Sequence, residues 1–263
     1  MTRPEVTGLD LSPRPGSAPL ARQVLAQARM ETKLMLRNGE QLLLAVVIPV
    51  LVLTGGVLAA KTMDVEFDAP AVDVLTPGVL ALAVLSTAFT SLAIATGFER
   101  RYGLIKRLGA SPLPRHGLLL GKVGALLSVL LLQTLVIGGV AQLLGWTPTT
   151  DPLAWLAALL LVVLGTAAFA SLGLLLAGVL RAEATLAAAN LVFLLLMVGG
   201  AVVLPASFYG GFAKVATLLP SGALGEGLRS ALLDGEADVR AMLVLLVWAA
   251  VGSIAAARTF RWE

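Results

Sequence analysis

The sequence predicts an all-α membrane protein with six spanning helices, and three observations carry that prediction. The 263 residues are 58% hydrophobic and only 13% charged, with a mean hydropathy of +0.92. A soluble domain carries about 25% charged residues. Apolar runs of about 20 residues, long enough to cross a bilayer core as helix, recur along the chain. The basic residues between those runs fall predominantly on one side.

In chain order, the proline-rich residues 1–17 read as a disordered cytoplasmic tail, and residues 18–263 as one transmembrane domain. Residues 19–38 predict a helix in the membrane interface, with Leu20, Val24, Ala28, Leu34 and Met35 on one face. Arg22, Arg29, Lys33 and Arg37 occupy the opposite face, suited to anionic headgroups. An ordinary positive flank to the first span is the alternative. The spans are expected at 42–60, 75–98, 118–144, 153–180, 184–204 and 241–257. Pro77 is expected in the first turn of the second span, where its missing N–H costs nothing. A tight turn at 181–183 joins the fourth and fifth.

The connector 205–240 is too apolar for a free loop and too broken for a span. It holds Phe208, Tyr209, Phe212, Val215, Leu218 and Leu219, bounded by Pro205 and interrupted by Pro220 and several glycines. Irregular backbone at membrane depth must be shielded by protein or line a cavity. A re-entrant or interfacial hairpin on the outer face follows, the alternative being a surface loop packed on the outer helix ends.

With both termini inside, the cytoplasmic segments hold Arg3, Arg14, Arg22, Arg29, Lys33, Arg37, Arg100, Arg101, Lys106, Arg107, Arg115, Lys122, Arg181, Arg258 and Arg261. Only Lys61, Lys214, Arg229 and Arg240 lie outside. That bias orients the chain. Trp146 and Trp155 fit an aromatic belt at the outer surface, where Asp64, Glu66, Asp68, Asp73, Glu226, Asp234, Glu236 and Asp238 also gather. Arginine far outnumbers lysine and alanine is abundant, which points to a bacterial, GC-rich genome and hence the bacterial cytoplasmic membrane.

Enzyme chemistry finds no foothold. Cysteine is absent and His116 is the single histidine, so thiolate and histidine metal clusters are excluded, as is a cysteine nucleophile. No serine nucleophile has a base in reach, and no carboxylate pair lies within the membrane. The net charge of +3 reflects cationic loops, without the aromatic interleaving of a nucleic-acid surface. The run Gly117–Lys122 superficially resembles a phosphate-binding loop, but it has three residues between its glycines and Val123 where Ser or Thr is required. Gly117 and Gly121 suit close helix packing instead. Lys122 can snorkel to the interface. The spans lack the buried ionisable groups of an ion-coupled carrier. Ser86, Thr87, Thr90, Ser91, Thr96, Thr134, Thr166 and Ser171 are expected mostly to bond back to their own helices. Gln133 and Asn190 are costlier, and bond across helices or face a cavity. A pore so lined suits an amphiphilic cargo better than an ion.

The densest charge follows the second span. Treated as a helix, residues 99–113 carry an apolar stripe of Leu104, Ile105 and Leu108 flanked by Tyr102. Arg100 and Arg107 share one flank, Lys106 lies towards another, and Arg101 points into the stripe. Gly109 can end the helix, and Ser111–Pro112 enforces the stop. Either this is a positive loop resting on headgroups, or a soluble partner grips it.

These residues resemble the membrane subunits of ABC-2 type ABC exporters. After their second span those subunits carry a pattern like E-R-E-x-G-T-L-x-x-L-x-x-T-P, then a Leu-rich run and Gly-Lys. Glu99, Arg100, Gly103, Leu108, Pro112, Gly121 and Lys122 match, and Ile105 is a close substitute. The N-terminal helix, the six spans, the Gly173–Gly178 end of the fourth span and the outer hairpin also look like the family. Arg101 stands where the pattern has Glu, and Leu104 and Ser111 replace its two Thr positions.

The resemblance implies a permease without its own ATP site or catalytic residues, paired with a second permease subunit, identical or sister, and with cytoplasmic ABC ATPases that hold ATP and Mg. Glu99, Arg100, Arg101, Gly103, Leu104, Ile105, Lys106, Leu108 and Pro112 would form the cytoplasmic coupling helix, docking in the ATPase cleft. Pro205, Phe208, Phe212 and Pro220 would shape an outer gate. Arg101 is expected to meet a complementary acid on the ATPase. Membrane lipid is an expected partner, nucleic acid is not, and no metal site is expected. Drugs or antibiotics are the expected cargo and lipid-linked envelope glycans or lipids the alternative. A non-transporting assembly or sensor protein is the rival class.

Overall fold

The computed structural model of the chain describes residues 18–37, 39–103 and 115–259, and their regular structure is entirely helical. Helix α1 (Leu20–Arg37) precedes α2 (Gly39–Thr62). Helix α3 (Ala71–Val84) runs through a π-helical stretch (Leu85–Ser91) into α4 (Leu92–Arg101). Helices α5 (Arg115–Leu143), α6 (Pro152–Val179) and α7 (Ala182–Gly199) follow. A 3-10 turn (Ala206–Phe212), α8 (Ala213–Ala216), α9 (Pro220–Arg229) and a π turn (Ser230–Asp234) form the connector to α10 (Val239–Thr259).

Among the described residues, six helices are long and apolar enough to cross a membrane: Ala45–Thr62, Ala71–Arg101, Leu120–Leu143, Pro152–Val179, Ala182–Gly199 and Val239–Thr259. The second is the post around which the others stand. Every residue from Val72 to Val84 is buried, and α2, α5, α6, α7 and α9 all pack on the α3–π–α4 column. Helix α10 lies along α6, and α1 along α5. Helices can approach this closely because small residues face one another. A methyl at Gly173 of α6 would sit 2.8 Å from the Phe89 carbonyl oxygen in the π stretch.

Two boundaries differ from the sequence expectation for definite reasons. The second span starts at Ala71, four residues before residue 75, with Pro70 as its N-cap. Pro77 therefore lies inside the helix, beyond the first turn, and deprives the Asp73 carbonyl of its helical donor. The fifth span ends at Gly199, not at 204, because Gly200 leaves the helix and Ala201 adopts a left-handed φ of 50°. The tryptophans meet edge-on at 6.4 Å. Trp146 is buried, so it belongs to the core and not to an outer belt, while Trp155 remains exposed. Asp73, expected among outer surface acids, is buried and accepts hydrogen bonds from Thr147 N at 2.7 Å and Thr147 Oγ1 at 3.0 Å.

The second half of the connector is not a surface loop, whereas most of residues 207–219 are exposed or half-buried. Helix α9 packs among α3, α6 and α10, and all its residues except Glu226 are buried. Pro220 opens it at a position where no N–H is needed.

Candidate functional site

Consecutive residues on an α-helix project 100° apart, so three in a row fan across more than half the circumference. At the end of α4 each of three consecutive charged side chains finds a different neighbour. Glu99 Oε1 accepts from Lys122 Nζ of α5 at 2.7 Å. Arg100 donates from Nη1 to the Gly178 carbonyl and from Nη2 to the Leu180 carbonyl, both at 2.6 Å. Those carbonyls belong to the end of α6, where helical acceptors lack donors. Arg101 pairs with Glu183 in the first turn of α7.

Arg101 thus finds its acid within this chain. Helix α4 stops at Arg101, and Gly103 takes a left-handed φ of 66°, so the helix does not run on unbroken past Gly103. Tyr102 stacks near Phe98, with ring centroids 6.2 Å apart, and stays exposed. Leu104, Ile105, Lys106, Leu108 and Pro112, together with Arg107, Gly109 and Ser111, lie outside the described residues, as does the tail 1–17.

The Lys122 ammonium does not simply snorkel. Besides Glu99 it faces Glu31 Oε2 of α1 at 3.6 Å, and the three side chains are only 16–20% exposed. Gln27 Nε2 donates to Glu31 Oε1 at 2.7 Å. Burial pushes the Glu31 carboxyl above its ordinary range and Glu99 adds to the rise, against the pull of Lys122 and Gln27. The face that α1 turns inward therefore centres on Gln27, Ala28 and Glu31, while Leu20 and Leu34 are exposed. Gly121 makes room for it: a methyl there would lie 2.5 Å from Gln27 Cγ. Sequence reasoning missed Gln27 and Glu31. Their signal was a lone acid on a basic helix, four residues after a glutamine.

Within the bundle, Gln133 is wholly buried. It accepts from Thr87 Oγ1 at 2.8 Å and donates to the Ala45 carbonyl at 2.6 Å, linking α5 to the π stretch and α2. Asn190, the other polar candidate, is exposed on α7. Of the hydroxyls expected to bond back to their helices, Ser171 does so, whereas Thr87 bonds across. The hydroxyls of Thr90, Thr96 and Thr166 are buried without a partner among the described residues.

At the opposite end, Arg229 is 5% exposed and sits beneath the turn that leaves α7. Nη1 donates to Val202 and Val203 carbonyls at 3.3 and 3.1 Å; Nη2 donates to Ala201 and Leu204 carbonyls at 3.0 and 3.2 Å. Counted from sequence as an outer surface cation, Arg229 is instead the interior anchor of the connector. Its signal was the glycine-rich setting, since a methyl at Gly78 or Gly225 would strike the same carbonyls at 2.6 Å. Of the gate candidates, Pro205 and Pro220 bound the two halves of the connector, Phe208 packs on Phe67 at 5.2 Å, and Phe208 and Phe212 are exposed.

Comparison with known proteins gives one family. The family model described as ABC-2 type transporter matches residues 20–233, from the start of α1 through the π turn that follows α9. No curated protein matches the chain.

Proposed function

The chain belongs to the ABC-2 type transporter family as a multi-pass membrane permease, and from that premise we propose that it is the spanning subunit of an ATP-driven exporter of drugs, antibiotics or other amphiphiles. A separate cytoplasmic ATPase supplies the energy, and a second permease subunit completes the pathway. One observation carries the reading: Glu99, Arg100 and Arg101 anchor the base of the 104–114 loop to α5, α6 and α7 at once. A push on that loop, delivered by an ATPase that grips it, reaches α5, α6 and α7 through these three side chains. Rigid displacement of packed helices about such an anchor is a known route between two arrangements of a bundle.

The test is reconstitution of the chain with its co-purified ATPase in vesicles, following ATP-driven movement of ethidium and, separately, of a fluorescent lipid analogue. Ethidium export that needs ATP supports the reading. Movement of the lipid analogue alone would assign an envelope-lipid cargo, and the lack of any ATPase partner would favour an assembly or sensor role.

A further inference from the structure

Two carboxylates on different helices compete for one ammonium. Lys122 Nζ lies 2.7 Å from Glu99 Oε1 and 3.6 Å from Glu31 Oε2. Glu99 stands at the base of the loop; Glu31 stands on α1, far away in sequence. Among the described residues, the second oxygen of Glu99 is buried without a partner. One oxygen of Glu31 is held by Gln27, which leaves the other directed to Lys122. A buried carboxylate deprived of its counter-charge is costly, so whichever acid loses the lysine gains by recovering it. Helix α1 is seated at this same place, with Gly121 and Gly124 flat against Gln27 and Ala28.

We propose that Lys122 is a positioning residue that carries movement of the loop base into α1 by exchanging partners, holding Glu99 in the present arrangement and Glu31 when the loop base withdraws. The proposal rests on the exporter reading for its consequence, since α1 then becomes a moving part of the coupling apparatus. Its geometry, two acids sharing one cation, stands independently. A shared cation gives the joint two discrete states, which is what coupling between distant elements requires.

The chain has no cysteine, so spin labels introduced at Leu25 on α1 and Val179 at the end of α6, both exposed, are unique. Distances are measured on the full chain in lipid nanodiscs without the ATPase. Either acid alone suffices to hold the lysine, so Glu31→Gln and Glu99→Gln should each leave a narrow distribution. The double substitution and Lys122→Met should each broaden it, and Lys122→Arg should keep it narrow. A broad distribution from Glu99→Gln alone, or a narrow one from Lys122→Met, overturns the exchange. In vesicles with the ATPase, Glu31→Gln should lower ethidium exported per ATP several-fold while α1 stays docked. An unchanged ratio overturns the positioning role. If the unaltered complex exports neither ethidium nor the lipid analogue, the exporter reading fails, and the nanodisc distances still decide the joint.

Discussion

Arg229 Nη2 donates to Glu226 Oε1 at 2.8 Å, and that same oxygen accepts the main-chain N–H of Ala206 at 2.7 Å. With four carbonyls above it, this pair fastens both halves of the connector to the turn at 201–204. Arg229 is buried but Glu226 is 29% exposed, so removing the arginine costs less than the roughly 3–5 kcal/mol of breaking a fully buried pair, with the stranded carbonyls adding to the loss. Arg229→Met should therefore lower the melting temperature of the detergent-solubilised chain well beyond any surface change, and should expose the connector to proteolysis. Arg229→Lys should recover little, because an ammonium cannot reproduce the planar fork.

Arg100→Ala removes two charge-assisted bonds to the end of α6. Bonds to charged groups contribute about 1.5–3 kcal/mol when buried, and Arg100 is only partly so; the expected loss is on the order of 2 kcal/mol in all. Arg101→Ala is the contrast. Its pair with Glu183 is exposed, at 51% and 64%, and such pairs contribute about 0–1 kcal/mol. Thermal unfolding of the two variants side by side should separate them clearly.

Gln133→Leu leaves the Ala45 carbonyl and the Thr87 hydroxyl without their partners. Interhelical side-chain bonds in membrane proteins average about 0.6 kcal/mol and reach about 1.7. Complete burial places Gln133 near the upper end. Stability should fall by about 1–2 kcal/mol, while the ratio of ethidium to lipid-analogue export stays unchanged. A shift in that ratio would mean that Gln133 meets cargo.

The seat of α1 should depend on pH through Glu31. Its carboxyl is raised by burial and by Glu99, opposed by Lys122 and Gln27. A group whose pKa is raised in the folded state contributes stability that is full below its unfolded pKa and is lost as pH rises through the folded one. Docking of α1 should thus tighten on acidification across the window between the ordinary carboxylate value and the raised one. Hydrogen exchange of α1 amides checks the slope, which Glu31→Gln should abolish.

The fold class was legible in the linear sequence. Six apolar runs cannot remain in water, and in lipid only helices satisfy their own backbone; a run length of about 20 residues then sets span number and approximate position. The charged turn at Glu99–Arg101 and the broken connector also stood out, because both depart from the hydrocarbon pattern around them. Helix pairing left no such trace. Whether Lys122 snorkels to water or binds Glu31 and Glu99 depends on three residues brought together from α1, α4 and α5. Whether Arg229 is a surface cation or an interior anchor depends on a left-handed Ala201 that turns four carbonyls toward it. Where α4 stops is likewise recorded only by the backbone, which turns left-handed at Gly103. Hydropathy is a property of single residues summed along the chain, so the sequence by itself determined how many helices cross and where. The partner of a buried charge is set by distances of a few ångströms between helices, and only the tertiary structure decided those.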